Sequence, residues 1–76
     1  MTKCVLFHTE GCHLCEEALA MLIQQLPEAE IELIDITEDA AHVEKYQFSI
    51  PVVKRSRDDA ELGWPFSTQQ LQEFLN

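Results

Sequence analysis

Gly11-Cys12-His13-Leu14-Cys15 lies at the seam between two apolar patterns of different period, and this position constrains the chain more than any other feature. Before it, Lys3-Cys4-Val5-Leu6-Phe7-His8 is apolar with little alternation, as expected of a strand covered on both faces in a partly parallel sheet. After it, Leu14, Cys15, Ala18, Leu19, Leu22, Ile23 and Leu26 recur at helical spacing and predict one buried stripe, with Glu16, Glu17, Gln24 and Gln25 mostly outside it. Thr9-Glu10-Gly11 is the turn between them. Cys12 is therefore expected at the amino end of a helix, with Cys15 one turn further in.

Pro27 cannot continue that helix without losing a hydrogen bond, so the helix should stop at about Leu26. Ile31-Glu32-Leu33-Ile34-Asp35-Ile36 has the branched residues of a second strand, and a strand, a helix and a strand of these lengths form a right-handed unit with parallel strands. Thr37 is the expected cap of a second helix, with Ala40, Val43 and Tyr46 on its buried side. Ile50-Pro51-Val52-Val53-Lys54 reads as a third strand opened by proline, and Ser56-Arg57-Asp58-Asp59 as a turn into a fourth, Ala60 to Trp64. Ser67 with Gln70 predicts a capping box for a last helix whose apolar face is Leu71, Phe74 and Leu75. The expected order is βαβαββα, an α/β chain forming one domain over residues 1–76.

Fourteen acids against five bases leave a formal charge of −9, which repels phosphate backbones and anionic headgroups. Nucleic acid and membrane are accordingly not expected as partners. The N-terminal residues lack the regions of a signal peptide, so a cytoplasmic protein is expected, a monomer kept apart by its charge. In such a compartment cysteines serve as reactive thiols more often than as structural bridges.

Disulfide exchange needs a thiolate to attack and a second thiol near enough to release the mixed disulfide. The unpaired amides and positive end of a helix favour an ionised Cys12, an effect of up to ~2 kcal/mol in good geometry, where ~1.4 kcal/mol is one pKa unit. A thiol near ~8.5 would thereby fall to about 7. Glu10 and Glu16 oppose this, while a protonated His13 would assist unless Glu17, at i+4, occupies it. Cys15, on the buried stripe, suits the resolving role.

The order of elements, the Cys12-x-x-Cys15 junction and the Ile50-Pro51 opening of the third strand resemble the thioredoxin superfamily, in its compact glutaredoxin-like branch. Phe7 to Ala18 resembles the opening of small bacterial glutaredoxin-like proteins, and Gly63-Trp64-Pro65-Phe66-Ser67 resembles their closing segment. The resemblance implies a four-stranded mixed sheet with helices on both faces, and a thiol-disulfide oxidoreductase with Cys12 as nucleophile and Cys15 as resolving thiol. It further implies Pro51 in the cis form beside the pair, and substrate contacts from His13, Leu14, Ile50, Pro51, Gly63 and Trp64. The free main-chain groups of Ile50 would receive a substrate peptide as a short added strand.

Two departures narrow this. Leu6 stands where thioredoxins carry a buried acid, and Thr9, His13-Leu14 and the single Gly63 stand where glutathione-using members carry a lysine, a tyrosine and a Gly-Gly followed by an acid. The expected partner is a disulfide-containing protein or a low-molecular-weight thiol, with glutathione an open alternative as co-substrate and no bound cofactor. Rival readings are an iron-sulfur or metal carrier using Cys12, for which His8 and His13 are the only histidines near the pair, and a non-catalytic adaptor that keeps only the fold. Cys4 reads as a small buried apolar residue.

Overall fold

A computed structural model describes residues 2–76. The strands are β1 (Cys4–His8), β2 (Ile31–Asp35), β3 (Val52–Arg55) and β4 (Glu61–Gly63), and the helices α1 (His13–Gln25), α2 (Ala40–Tyr46) and α3 (Thr68–Leu75). They follow one another as β1-α1-β2-α2-β3-β4-α3, with single 3-10 turns at Glu28–Glu30 and Ile36–Glu38. The sheet order is β2-β1-β3-β4. β1 runs parallel to β2, with Leu6 opposite Leu33, and antiparallel to β3, with Leu6 opposite Val53.

Because side chains alternate along a strand, β1 feeds two cores. Cys4 and Leu6 join Ala18 and Leu22 of α1, Val53, Phe66 and Leu71 of α3 on one face. Phe7 joins Ile36, Tyr46 and Val52 on the other, under α2, with the Phe7 and Tyr46 rings stacked at 4.2 Å. Helices therefore cover both faces of a four-stranded mixed sheet. The Tyr46 hydroxyl donates to the Glu61 carboxylate, and Lys45 Nζ lies 3.7 Å from the same group, so α2 is tied to β4.

Three local expectations are corrected. Asp39, not Thr37, caps α2, accepting the Ala41 N–H at 2.9 Å. The reason is an earlier competitor. Asp35 accepts both the Thr37 N–H, at 2.9 Å, and the Thr37 hydroxyl, at 2.7 Å, which closes the 3-10 turn and uses up the side chain expected to cap. The third strand begins at Val52 because the Ile50 N–H is already donated to Tyr46 O at 3.2 Å and proline has none to give. The buried stripe of α1 is also narrower than its spacing suggested: Cys15, Ala18 and Leu22 are enclosed, but Leu14 and Ile23 remain 44% and 45% exposed. Ile23 lies on the flank of α1 that faces β2, the last strand on that side among the described residues, whereas Leu14 lies on the opposite flank in the first turn.

The helix ends follow their residues. Leu26 is extended, as the residue before a proline must be, and α1 stops there. Ser67 Oγ accepts the Gln70 N–H at 3.0 Å while Gln70 Oε1 accepts the Ser67 N–H at 2.7 Å, the reciprocal box expected for α3. At the far end of α3 the Arg55 guanidinium donates to Phe74 O at 2.8 Å and pairs with Asp58 at 2.6 Å.

Candidate active site

β1 ends at His8, and the chain turns through Thr9-Glu10-Gly11 into α1. Gly11 has φ +78°, a left-handed conformation that costs a residue with a Cβ about 1 kcal/mol, and it turns the chain so that Cys12 arrives as the helix cap. Cys12 is extended, at φ −90° and ψ 103°, and its Sγ accepts the Cys15 N–H at 3.1 Å. This sulfur occupies the place that a serine or aspartate oxygen takes at an ordinary helix start. The carbonyl of Cys12 accepts the Glu16 N–H at 3.2 Å, so the first turn is closed around it.

Cys12 and Cys15 are joined by a disulfide, with Cα atoms 5.2 Å apart, inside the range such a bridge requires. Their environments differ. Cys12 is half-buried at the rim, whereas Cys15 is only 4% exposed against the core. The rim is acidic, with Glu10 and Glu16 exposed on either side of the pair. His13 Nδ1 lies 3.3 Å from Glu16 Oε2, so its acidic neighbour is Glu16 at i+3, not Glu17 at i+4 as expected. Both side chains face solvent, and an exposed pair of this kind contributes little.

The other expected contact residues fall in two groups. His13 and Leu14 stand exposed on the first turn of α1. Pro51, Gly63 and Trp64 come together on the far side of β1: Trp64 N–H donates to Pro51 O at 3.2 Å, and Gly63 pairs with Val52. One step beyond the Phe7–Val52 pair, the register sets Pro51 beside His8, at the strand end that feeds the cysteines. Pro51 is fully enclosed, and both Ile50-Pro51 and Trp64-Pro65 are cis, the second without a forerunner in the sequence reading. Trp64 also meets Phe66 edge to face at 5.0 Å and packs on the main core.

Against the pair, on the β2 side, lies an open cavity of about 220 Å³ with Leu6, Leu19 and Leu33 among its lining residues together with Cys12, Cys15 and Glu16. Leu19 and Leu33 were not singled out from the sequence; only their shared face with Leu6 and Cys15 could have suggested them. Asp35, opposite His8 in the register, has its carboxyl held below the usual range by the Thr37 amide and hydroxyl, with a smaller contribution from His8. Among the described residues no group of three or more His, Cys, Asp or Glu side chains converges as a metal would require. No helix of the described residues is long and apolar enough to cross a membrane.

The family model of the glutaredoxin-like domain (DUF836) matches residues 3–76. The chain belongs to this family. Among solved structures, the glutaredoxin-like chain is similar to the Northeast Structural Genomics target protein XcR50 from X. campestris. The X-ray structure of that protein is 32% identical, with a TM-score of 0.83, and the match covers 95% of this chain and 93% of that one. Its solution structure gives 30% identity and a TM-score of 0.82, covering 97% and 92%. Protein Ne2328 from Nitrosomonas europaea is 28% identical with a TM-score of 0.79, covering 97% and 91%. No curated protein matches the chain.

Proposed function

We propose that this glutaredoxin-like protein is a thiol-disulfide oxidoreductase in which Cys12 attacks and Cys15 resolves. The observation that carries this reading is the contrast within one bridged pair, a rim sulfur capping a helix and a core sulfur one turn behind it. In the reduced protein the Cys12 thiolate attacks one sulfur of a substrate disulfide, and the other substrate sulfur leaves as a thiolate and takes up a proton. Cys15 then gives up its proton and attacks Cys12 Sγ, which breaks the mixed disulfide and releases the second substrate thiol. Two electrons have passed to the substrate, and the protein holds the Cys12–Cys15 bridge.

Return to the dithiol requires a low-molecular-weight thiol or the dithiol of another protein; no cofactor is needed beyond the two sulfurs. The Cys15 amide and the α1 dipole favour the Cys12 thiolate, while Glu10 and Glu16 moderate it, which suits a reductant working as a monomer in the cytoplasm. His13 and Leu14 on one side, and Pro51, Gly63 and Trp64 on the other, would flank the substrate sulfur. With its N–H given to Tyr46, Ile50 retains only its carbonyl for a substrate backbone.

The test is trapping. Cys15→Ser, mixed with a small disulfide-bonded protein, should stop at a stable mixed disulfide on Cys12 that mass spectrometry resolves, while Cys12→Ser should form none. Rapid multiple turnover by Cys12→Ser would remove the proposal.

A further inference from the structure

The cavity beside the cysteines does not end there. Leu19 and Leu33 also line a second one, of about 280 Å³, that continues between α1 and β2 to Ile23 and Ile31. Leu33 and Ile23 are 49% and 45% exposed, two large apolar side chains facing solvent at the same place. Alternation explains why: Ile31 and Leu33 pair with Cys4 and Leu6 and so share the α1 face of the sheet, but β2 is the last strand, and α1 covers it only in part, leaving Ile31 half-buried and Leu33 exposed. The result is an apolar trough that opens at Cys12.

Its charge is of one sign. Glu10 and Glu16 line the first cavity together with His8, and Glu28 the second; among the described residues no lysine or arginine lines either. Lys3, Lys45, Lys54 and Arg55 are occupied by Glu30, Glu61, Asp59 and Asp58 elsewhere. From Cys12 to Ile23 the helix rises about 16 Å at ~1.5 Å per residue, which equals about five residues of extended chain at ~3.3 Å each. Among the described residues the outer edge of β2 has no strand neighbour, so its main-chain groups can pair with an extended segment laid beside it, which turns every second side chain toward the trough.

We infer that the trough between α1 and β2 is a docking surface for the chain that carries the substrate sulfur, and that it takes a short extended segment of a disulfide-bearing protein in which apolar residues alternate with lysine or arginine beside the reacting cysteine. This rests on the exchange chemistry proposed above. The apolar side chains settle on Leu19, Leu33 and Ile23, and the basic ones meet Glu10, Glu16 and Glu28. Glutathione disulfide, small and anionic, fills neither requirement.

The reduced protein separates the two readings when it is mixed with synthetic peptides carrying one cysteine as a disulfide with nitrothiobenzoate, whose release is coloured. Cys12 takes the peptide sulfur, nitrothiobenzoate leaves as a thiolate, and Cys15 then frees the peptide thiol. A Cys-Lys-Leu-Lys-Leu-Lys peptide should react about tenfold faster than the same peptide with serine for leucine, a ratio equal to ~1.4 kcal/mol. Glutamate for lysine should also slow it, by a factor that shrinks as salt is raised. Ile23→Ser and Leu33→Ser, both at half-exposed positions where circular dichroism can verify folding, should each remove about threefold of the leucine advantage. Glu28→Lys should remove part of the lysine advantage without touching the apolar floor.

Equal rates for all peptides would overturn the docking surface and leave the exchange reading intact. Loss of reaction with every peptide and with the free bis-nitrobenzoate disulfide would overturn both. A dimer in sedimentation that Leu33→Ser dissociates would assign the trough to a second copy of the chain and overturn the inference.

Discussion

Two helix starts in this molecule carry the same cap with different atoms. Ser67 at α3 and Cys12 at α1 are both extended, and both accept the amide three residues on, at 3.0 and 3.1 Å. At α3 the box closes reciprocally, because Gln70 reaches back to the Ser67 N–H. At α1 the corresponding residue is Cys15, which has no oxygen to reach back with, and its sulfur is bonded to Cys12 instead. An oxygen in this place stays neutral and only holds the helix. A sulfur in the same place can ionise, so in the proposed function the donors that stabilise a helix end would also stabilise a nucleophile.

The largest expected effect tests that difference directly. Compared with the reduced wild type, Cys12→Ser should bring disulfide reduction down to the uncatalysed rate yet change the unfolding free energy by less than about 1 kcal/mol, since serine is itself a good cap. A loss of several kcal/mol in denaturant unfolding would show that the sulfur's first duty is structural. Ser67→Ala should do the converse, costing about 1 kcal/mol with exchange kinetics unaltered.

A third cysteine sharpens the comparison. Cys4 is fully enclosed in β1, and burial pushes its thiol from 9.0 up to about 11. In the reduced protein Cys12 should alkylate with a midpoint near ~7, while Cys4 should resist until the chain unfolds. A Cys12 midpoint below about 5 would mark an oxidising protein and defeat the reading of a reductant. Because the folded-state value of Cys4 is the higher one, its contribution to stability is complete below pH 9 and is lost as pH rises from 9.0 towards 11. Alkaline unfolding should therefore be eased in the wild type, and Cys4→Ala should lose that pH dependence.

The smallest effect lies at the other end of α3. The Arg55 guanidinium holds the Asp58 carboxyl down from 3.8 to about 2, so its contribution is present above pH 3.8 and lost as pH falls through about 2. Asp58→Asn should flatten the acid limb of the stability profile over that interval, read by fluorescence of Trp64. No change would mean that solvent screens the pair entirely.

Much of this was legible along the chain. Local rules decided the elements: the break at Pro27, the Ser67–Gln70 box and the junction that makes Cys12 a cap each depend on neighbours within a turn or so. The misreadings had a common origin. Thr37 lost its capping role to Asp35 two residues before it, and Ile50 lost its ladder amide to Tyr46, because several residues compete for one hydrogen bond and spacing does not rank them. Gly63 and Trp64 were expected near the site, but their place beside Pro51 depends on strand pairing across the sheet.

The residues alone determined that two sulfurs would sit one turn apart at the amino end of a helix, since periodicity and capping act over a few positions. Only the tertiary structure decided which apolar side chains are hidden. Ile23 and Leu33 carry the same pattern as Leu22 and Leu6, and they stay uncovered because β2 ends the sheet and, among the described residues, no further strand lies beyond it. Burial is a property of what packs against a residue, and that depends on strand order, which no local pattern encodes.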